Sequence, residues 1–270
     1  MTTTATSTTT PPATSKGAVR WAISDILTIA RRNLLALVRI PTFLVFAVIQ
    51  PVMFVLLFRY VFGGVIQVPG GIYVNFLIPG ILVQTTIFGA VGTAIGLAED
   101  LQHGLIERFR ALPMARIALL GGRTVADLAR NVGVVIIISF VGIAVGFRPS
   151  GSLVSYLQAC LLMLIFAYCL SWGFAFVGLA APNSEAAQAM TFPIIFPLTF
   201  ASSVFVPVDR MPGWLQSFAV HQPVSETADA VRGLMLGTPH GDSTWITLAW
   251  SIGAILVLAP LATRQYRKVA

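Results

Sequence analysis

Charge is what this sequence has least of. Only 10% of its 270 residues are Asp, Glu, Lys or Arg, against roughly 25% in a soluble globular domain. With 56% hydrophobic residues and a mean hydropathy of +0.85, it has too few polar side chains to cover a water-facing globule. A soluble domain is excluded and an integral membrane protein is left. Lysine is nearly absent too: Lys16, followed by Gly, and Lys268, followed by Val. A Walker A loop, G-x-x-x-x-G-K-[ST], needs a lysine before Ser or Thr to hold phosphates, so the chain has no such loop and does not read as an ATPase. The two cysteines, Cys160 and Cys169, fall on opposite faces of one apolar helical run and can neither pair there nor build a metal site. The three histidines, His103, His221 and His240, lie in separate loops. The sequence therefore supplies no catalytic residue set and no metal site. The net charge of +7 would suggest nucleic acid for a soluble domain; in a membrane protein it first reports which loops stay in the cytoplasm.

What is there is apolar and helical. Residues 1–17 form a Thr-rich, uncharged tail expected to be disordered. From 18 to 40 the pattern turns amphipathic, with Ile23, Ile26, Leu27, Ala30 and Leu34 on one side and Asp25, Arg31, Arg32 and Arg39 largely on the other, which suits an interfacial helix lying along the membrane or packed on the protein's own flank. The rest, 41–270, forms the transmembrane domain. Six stretches, near 41–62, 72–98, 122–147, 153–180, 188–207 and 243–263, can each cross a hydrocarbon core of about 30 Å. The fold class is thus an all-α integral membrane protein with six transmembrane helices. In the third stretch Arg123, Asp127 and Arg130 fall in the first turns, spaced to pair along one helix face. Glycines at 92 and 96, and at 142 and 146, have the small-xxx-small spacing that permits close helix contact. Twelve Lys and Arg lie on the side shared by both termini, and Arg148, Arg210, Arg232 and Arg59 toward the other. The positive-inside rule puts both termini in the cytoplasm of a multi-pass protein of the cell membrane.

One stretch breaks the apolar monotony. EDLQHGLIERFRALPMAR, residues 99–116, follows a run from Tyr60 to Ala98 without a single charge. Within it Leu105, Ile106, Phe109 and Leu112 form one apolar helix face, while Glu107, Arg108 and Arg110 project elsewhere until Pro113 stops the helix. On the cytoplasmic side such a helix either lies on the lipid surface or docks in a groove of a soluble partner.

The same stretch carries a resemblance. GLIERFRALPMAR with GGRTVADLAR behind it, together with PLTFASSVFVPVDRMPGWLQSFAVHQPVSETADAVRGLMLG from 197 to 237, resembles the membrane subunit of ABC-2 type exporters, above all the actinobacterial daunorubicin/doxorubicin-resistance type of permease. The likeness covers roughly residues 18–268. It implies a transport permease subunit, not an enzyme, of an ATP-driven exporter that moves an amphipathic hydrophobic compound, an antibiotic or an envelope lipid, out of the cell. It implies a separate ABC ATPase subunit in two copies and a second permease half, identical or related. ATP and Mg2+ would be used by that ATPase, with no cofactor bound by this chain. It makes 99–116 the coupling helix, with Asp100, Gly104, Glu107, Arg108, Phe109 and Arg110 as contacts. The family often has Glu followed by a base four positions before the glycine, where this chain has Asp100 followed by Leu101.

Two further expectations follow from the resemblance. The first and fifth spans face the two-fold axis in such exporters, which makes Phe46, Gln50, Phe54, Phe192, Phe196, Thr199 and Phe200 candidates for a greasy pathway. Residues Met211 to Gly237, broken at Pro223, become short re-entrant helices before the last span, with Trp214 at the interface and Arg232 snorkelling or paired with Asp229 or Glu226. The chief alternative is a proton-coupled multidrug carrier independent of an ATPase. It needs an ionisable group that switches within the membrane, and Asp127 is the only acid inside a span.

Overall fold

The computed structural model describes residues 15–39, 41–68, 72–105 and 118–269, and among these the regular structure is helical throughout. In chain order the helices are α1 (Ser15–Arg39), α2 (Pro41–Leu57), α3 (Tyr73–Gln102), α4 (Ala118–Ala144), α5 (Leu153–Ala180), α6 (Ser184–Phe200), α7 (Gly213–His221), α8 (Pro223–Leu236) and α9 (Ser243–Val269). Among the described residues four stretches, Tyr73–Gln102, Leu119–Ala144, Leu153–Ala180 and Ser243–Val269, are long and apolar enough to cross a membrane.

The expected first and fifth spans depart from their predicted form. Residues 41–62 are continuous but change type, α2 passing into a π-helical turn at Phe58–Phe62. The fifth runs over Ser184–Phe200 and not 188–207. Its start is set by Asn183, whose side-chain oxygen accepts from the backbone N–H of Ala186 at 2.6 Å and caps the helix. Pro193 and Pro197 lie inside it and have no N–H to offer the carbonyls of Ala189 and Pro193. Its end is capped by Gln222, whose Nε2 donates to the carbonyls of Leu198 at 3.1 Å and Ala201 at 2.8 Å.

α3 is the axis of the bundle. It packs against α4, α5, α6 and α8, and Leu77, Ile78, Ile81, Leu82, Val83 and Ile87 are fully buried in the main core. At two places missing side chains let other backbone in: a Cβ on Gly80 would lie 2.1 Å from the Val204 carbonyl oxygen, and one on Gly178 of α5 would lie 2.4 Å from that of Ala94.

The amphipathic first helix begins at Ser15 and packs along α4. Ile29 and Ala30 are buried there, and Ile26 and Ile29 fill the space left by Gly121 and Gly122. Trp21, Ile23 and Leu27 stay exposed. One apolar stripe thus serves two surfaces, the protein's flank and whatever lies outside it.

Contacts sort the polar groups to two ends. At one, Arg32, Asp100 and Arg123 meet, and Gln102 accepts from the backbone of Ser184 at 3.3 Å. At the other, Asn75 accepts from the backbone of Arg148 at 3.1 Å, and Met235 accepts from that of Gly151 at 3.0 Å.

Candidate functional site

At the Asp100 end a short ladder of charge is built between α3 and α4. Asp100 is buried, and both its carboxylate oxygens are taken: Oδ1 by Arg32 of α1 at 3.2 Å and Oδ2 by Arg123 of α4 at 3.0 Å. Arg123 also donates to the Gly92 carbonyl at 3.1 Å. Further along, the Thr93 hydroxyl donates to Asp127, Arg130 approaches Asp127 at 3.9 Å, and Arg130 donates to the Gly89 carbonyl at 2.6 Å.

The charges in α4 were expected to pair with one another, and Asp127 with Arg130 do so. Arg123 instead crosses to Asp100, because α3 leaves room for it. A Cβ on Gly96 would lie 1.7 Å from Arg123 Nη2, and one on Gly89 would lie 2.7 Å from Arg130 Nη2. Glycines 89, 92 and 96 therefore line a slot for guanidinium groups, not the bare backbone contact that their spacing suggested. Sequence spacing shows that a residue is small and not what occupies the vacancy.

Of the expected coupling residues, Asp100 and Gly104 are described, Gly104 in the left-handed region at φ 61° just after α3. Glu107, Arg108, Phe109 and Arg110 lie outside the described residues.

The candidate pathway residues meet in one aromatic row. On α6, Phe192 meets Phe196 in a tilted contact at 5.6 Å between ring centroids, and Phe196 stacks on Phe200 at 5.5 Å. Phe200 continues to Phe205 at 5.4 Å, Phe205 to Phe58 at 4.3 Å, and Phe58 to Phe54 at 6.1 Å. The row joins α6 to α2 and its α6 members are exposed. Thr199 is set apart from it, fully buried with its hydroxyl unpartnered. Gln50 is half-buried on α2, and the side chain of Phe46 lies outside the described residues. Phe205 is the joint that a helical reading of 188–207 disguised, since it sits in the turn after α6.

At the opposite end α7 and α8 form the expected pair of short helices, Pro223 starting the second and Gly237 closing it at φ 65°. Trp214 is 78% exposed. Arg232 finds Asp229 and does more: it donates to the carbonyls of Phe76 at 3.2 Å and Ser203 at 2.9 Å, and its guanidinium carbon stands 3.6 Å from the centre of the Phe76 ring. Tyr73 adds a hydroxyl donating to the Phe205 carbonyl at 3.0 Å. These bonds fasten α8 and the turn after α6 to the start of α3.

An apolar crevice of about 270 Å³ opens between α5, α6 and α9, lined among others by Phe166, Cys169, Ile194, Leu198, Trp250 and Leu258. Among the described residues no three His, Cys, Asp or Glu side chains converge to hold a metal ion.

Residues 24–236 match the family described as ABC-2 type transporter. The chain is 35% identical to a daunorubicin resistance ABC transporter permease protein, DrrB1, of Streptomyces coeruleorubidus, over 91% of this chain and 87% of that protein. It is 26% identical to a probable doxorubicin resistance ABC transporter permease protein, DrrC, of Mycobacterium tuberculosis, over 95% and 93%. A putative transport permease of Cyanophora paradoxa, ycf38, is 26% identical over 83% and 77%.

Proposed function

We propose, from the premise that this chain belongs to the ABC-2 type transporter family, that it is the permease half of an ATP-driven exporter moving an amphipathic hydrophobic compound outward. The observation that carries the reading is the pairing of two features on one helical scaffold. Charge gathers at the end of α3 where the connector to α4 departs, and an exposed aromatic row runs from α6 to α2. The first suits the receipt of force from a soluble partner; the second offers a greasy, polarisable surface to a flat apolar solute.

In this reading the chain crosses the cell membrane six times, α2 with its π-helical turn and α6 supplying the first and fifth crossings, with both termini in the cytoplasm. Residues 99–116 face two copies of an ABC ATPase subunit, which binds ATP and Mg2+, and Gly104, Glu107, Arg108, Phe109 and Arg110 make the contact. A second permease half, identical or related, completes the path along Phe46, Gln50, Phe54, Phe192, Phe196, Thr199 and Phe200. α7 and α8 re-enter the outer leaflet, with Trp214 at the lipid interface, Pro223 at the break and Arg232 as the inward anchor. Antibiotics and envelope lipids share the chemistry that such a path accepts.

Two measurements test this. Replacing Phe109→Asp together with Arg110→Glu reverses the apolar and cationic character of the proposed docking segment, so the ATPase subunit should no longer co-purify; retained co-purification removes the coupling role. Depleting ATP while the membrane potential is held should stop efflux of the probe doxorubicin. Continued efflux would favour the proton-coupled carrier. Asp127, the acid that alternative would use, is already engaged inside the protein by the Thr93 hydroxyl and by Arg130.

A further inference from the structure

Asp100 and Arg123 stand at the two roots of the connector between α3 and α4. Asp100 lies two residues before the end of α3, and Arg123 lies in the second turn of α4. Their ion pair closes the connector at its base, and the second Asp100 oxygen, taken by Arg32, ties that base to α1. One buried carboxylate therefore joins three helices, the consecutive α3 and α4 and the more distant α1. Its surroundings are built for the purpose: Gly96 leaves the notch in which the Arg123 guanidinium lies, and the Gly92 carbonyl takes a further N–H from the same group. With both oxygens engaged inside the protein, Asp100 has little to offer a separate polypeptide.

We propose that Asp100 is a positioning residue for transport: it staples the roots of the α3–α4 connector to each other and to α1, so that a push on the connector moves α1, α3 and α4 as one body. This rests on the reading that the connector receives the stroke of an ATPase, and it changes the part played by Asp100 within that reading from docking contact to force transmission. A buried ion pair suits this work. It contributes little net stability but fixes a unique mutual arrangement, and it resists separation because a buried carboxylate is held more cheaply by both cations than by one. Gly104 then marks where the stapled base ends.

The test uses the full chain with its ATPase subunit in phosphatidylcholine–phosphatidylglycerol vesicles. Cys160 and Cys169 are replaced by serine, and spin labels are placed at Trp21→Cys on α1 and Trp245→Cys on α9, both exposed positions. In the otherwise native protein the distance between labels should shift by about 2 Å or more between the nucleotide-free and ATP–vanadate-trapped states, the scale of helix displacements in switching proteins. In Asp100→Asn the ATPase should co-purify in the same amount while that shift collapses, and Asp100→Glu should restore it. Arg32→Gln, which cuts the tie to α1 at a half-exposed side chain, should abolish the shift without lowering the yield of folded protein. A purely structural role would lower yield and leave the shift in the molecules that fold.

Three outcomes overturn the proposal: an unchanged shift in Asp100→Asn or Arg32→Gln, loss of ATPase co-purification in Asp100→Asn, or no shift in the unsubstituted pair. Failure of the underlying reading is seen separately, when the Phe109→Asp and Arg110→Glu variant still holds the ATPase.

Discussion

Gly96→Ala should destabilise the folded protein by about 2–4 kcal/mol, opposite in sign to the usual effect of this substitution in a helix. Alanine is favoured over glycine in a helix interior by about 1 kcal/mol, and Gly96 sits deep in α3. The new methyl group, however, would lie 1.7 Å from Nη2 and 2.5 Å from Cζ of Arg123. The guanidinium must leave its notch, and on leaving it gives up Asp100 and the Gly92 carbonyl. Breaking a buried pair costs about 3–5 kcal/mol where the remaining charge is left alone; Asp100 keeps Arg32, so the loss falls at the lower end of that range and still outweighs the gain in helix propensity. Thermal unfolding in detergent measures the difference. Gly133→Ala in α4 is the matched control: nothing lies within 4 Å of the added carbon, so this variant should melt no lower than the parent. Equal melting of Gly96→Ala and the parent would mean that Arg123 has a second resting place and that the slot is not required.

Arg232→Ala is the other large loss. The side chain is only 12% exposed, and its removal leaves the Phe76 and Ser203 carbonyls short of a donor, leaves Asp229 with only the Ser203 hydroxyl and takes the cation from the Phe76 ring. Charged hydrogen bonds of this kind contribute about 1.5–3 kcal/mol each, and they are not additive within one network, so a fall of about 3 kcal/mol is expected. Arg232→Lys should recover only part of it, since an ammonium can neither lie flat on the ring nor span several acceptors with a planar fork. Asp229→Asn should cost less, because Asp229 is 43% exposed and water screens that side of the pair. A second readout is local. Arg210, exposed beside the turn that Arg232 holds, should be cut faster by trypsin in Arg232→Ala than in the parent. Unchanged melting together with unchanged cleavage would show that α8 is held by its apolar contacts alone.

The helical course of this chain was largely legible because a membrane leaves little choice of backbone: apolar length predicts a helix, and the break at Pro223 and the stop at Gly237 follow from proline and glycine chemistry. What the sequence hid was partnership. Arg123, Asp127 and Arg130 carry a spacing that looks self-sufficient, yet Arg123 reaches a residue 23 positions away and Thr93 supplies a bond to Asp127 from 34 positions away. Helical periodicity tells which residues share a face and is silent on which helix that face meets. The end of the fifth apolar stretch misled for a distant reason: hydropathy stays high through Phe205, while Gln222, from outside the stretch, takes the carbonyls of Leu198 and Ala201 that a continuing helix would have bonded. The cap at Asn183, with Glu185 in the first turn, was a signal present in the sequence that hydropathy outweighed.

The shortness of α6 has a consequence for the lipid around it. Its 17 residues rise only about 25 Å at 1.5 Å each, less than a hydrocarbon core of about 30 Å. If α6 is the fifth crossing, as proposed above, acyl chains beside it must compress, at fractions of a kcal/mol for each Å of mismatch. The bilayer would then be dimpled along the side that carries Phe192, Phe196 and Phe200, and an oily solute leaving by that side would have a thinner sheet of oil to traverse.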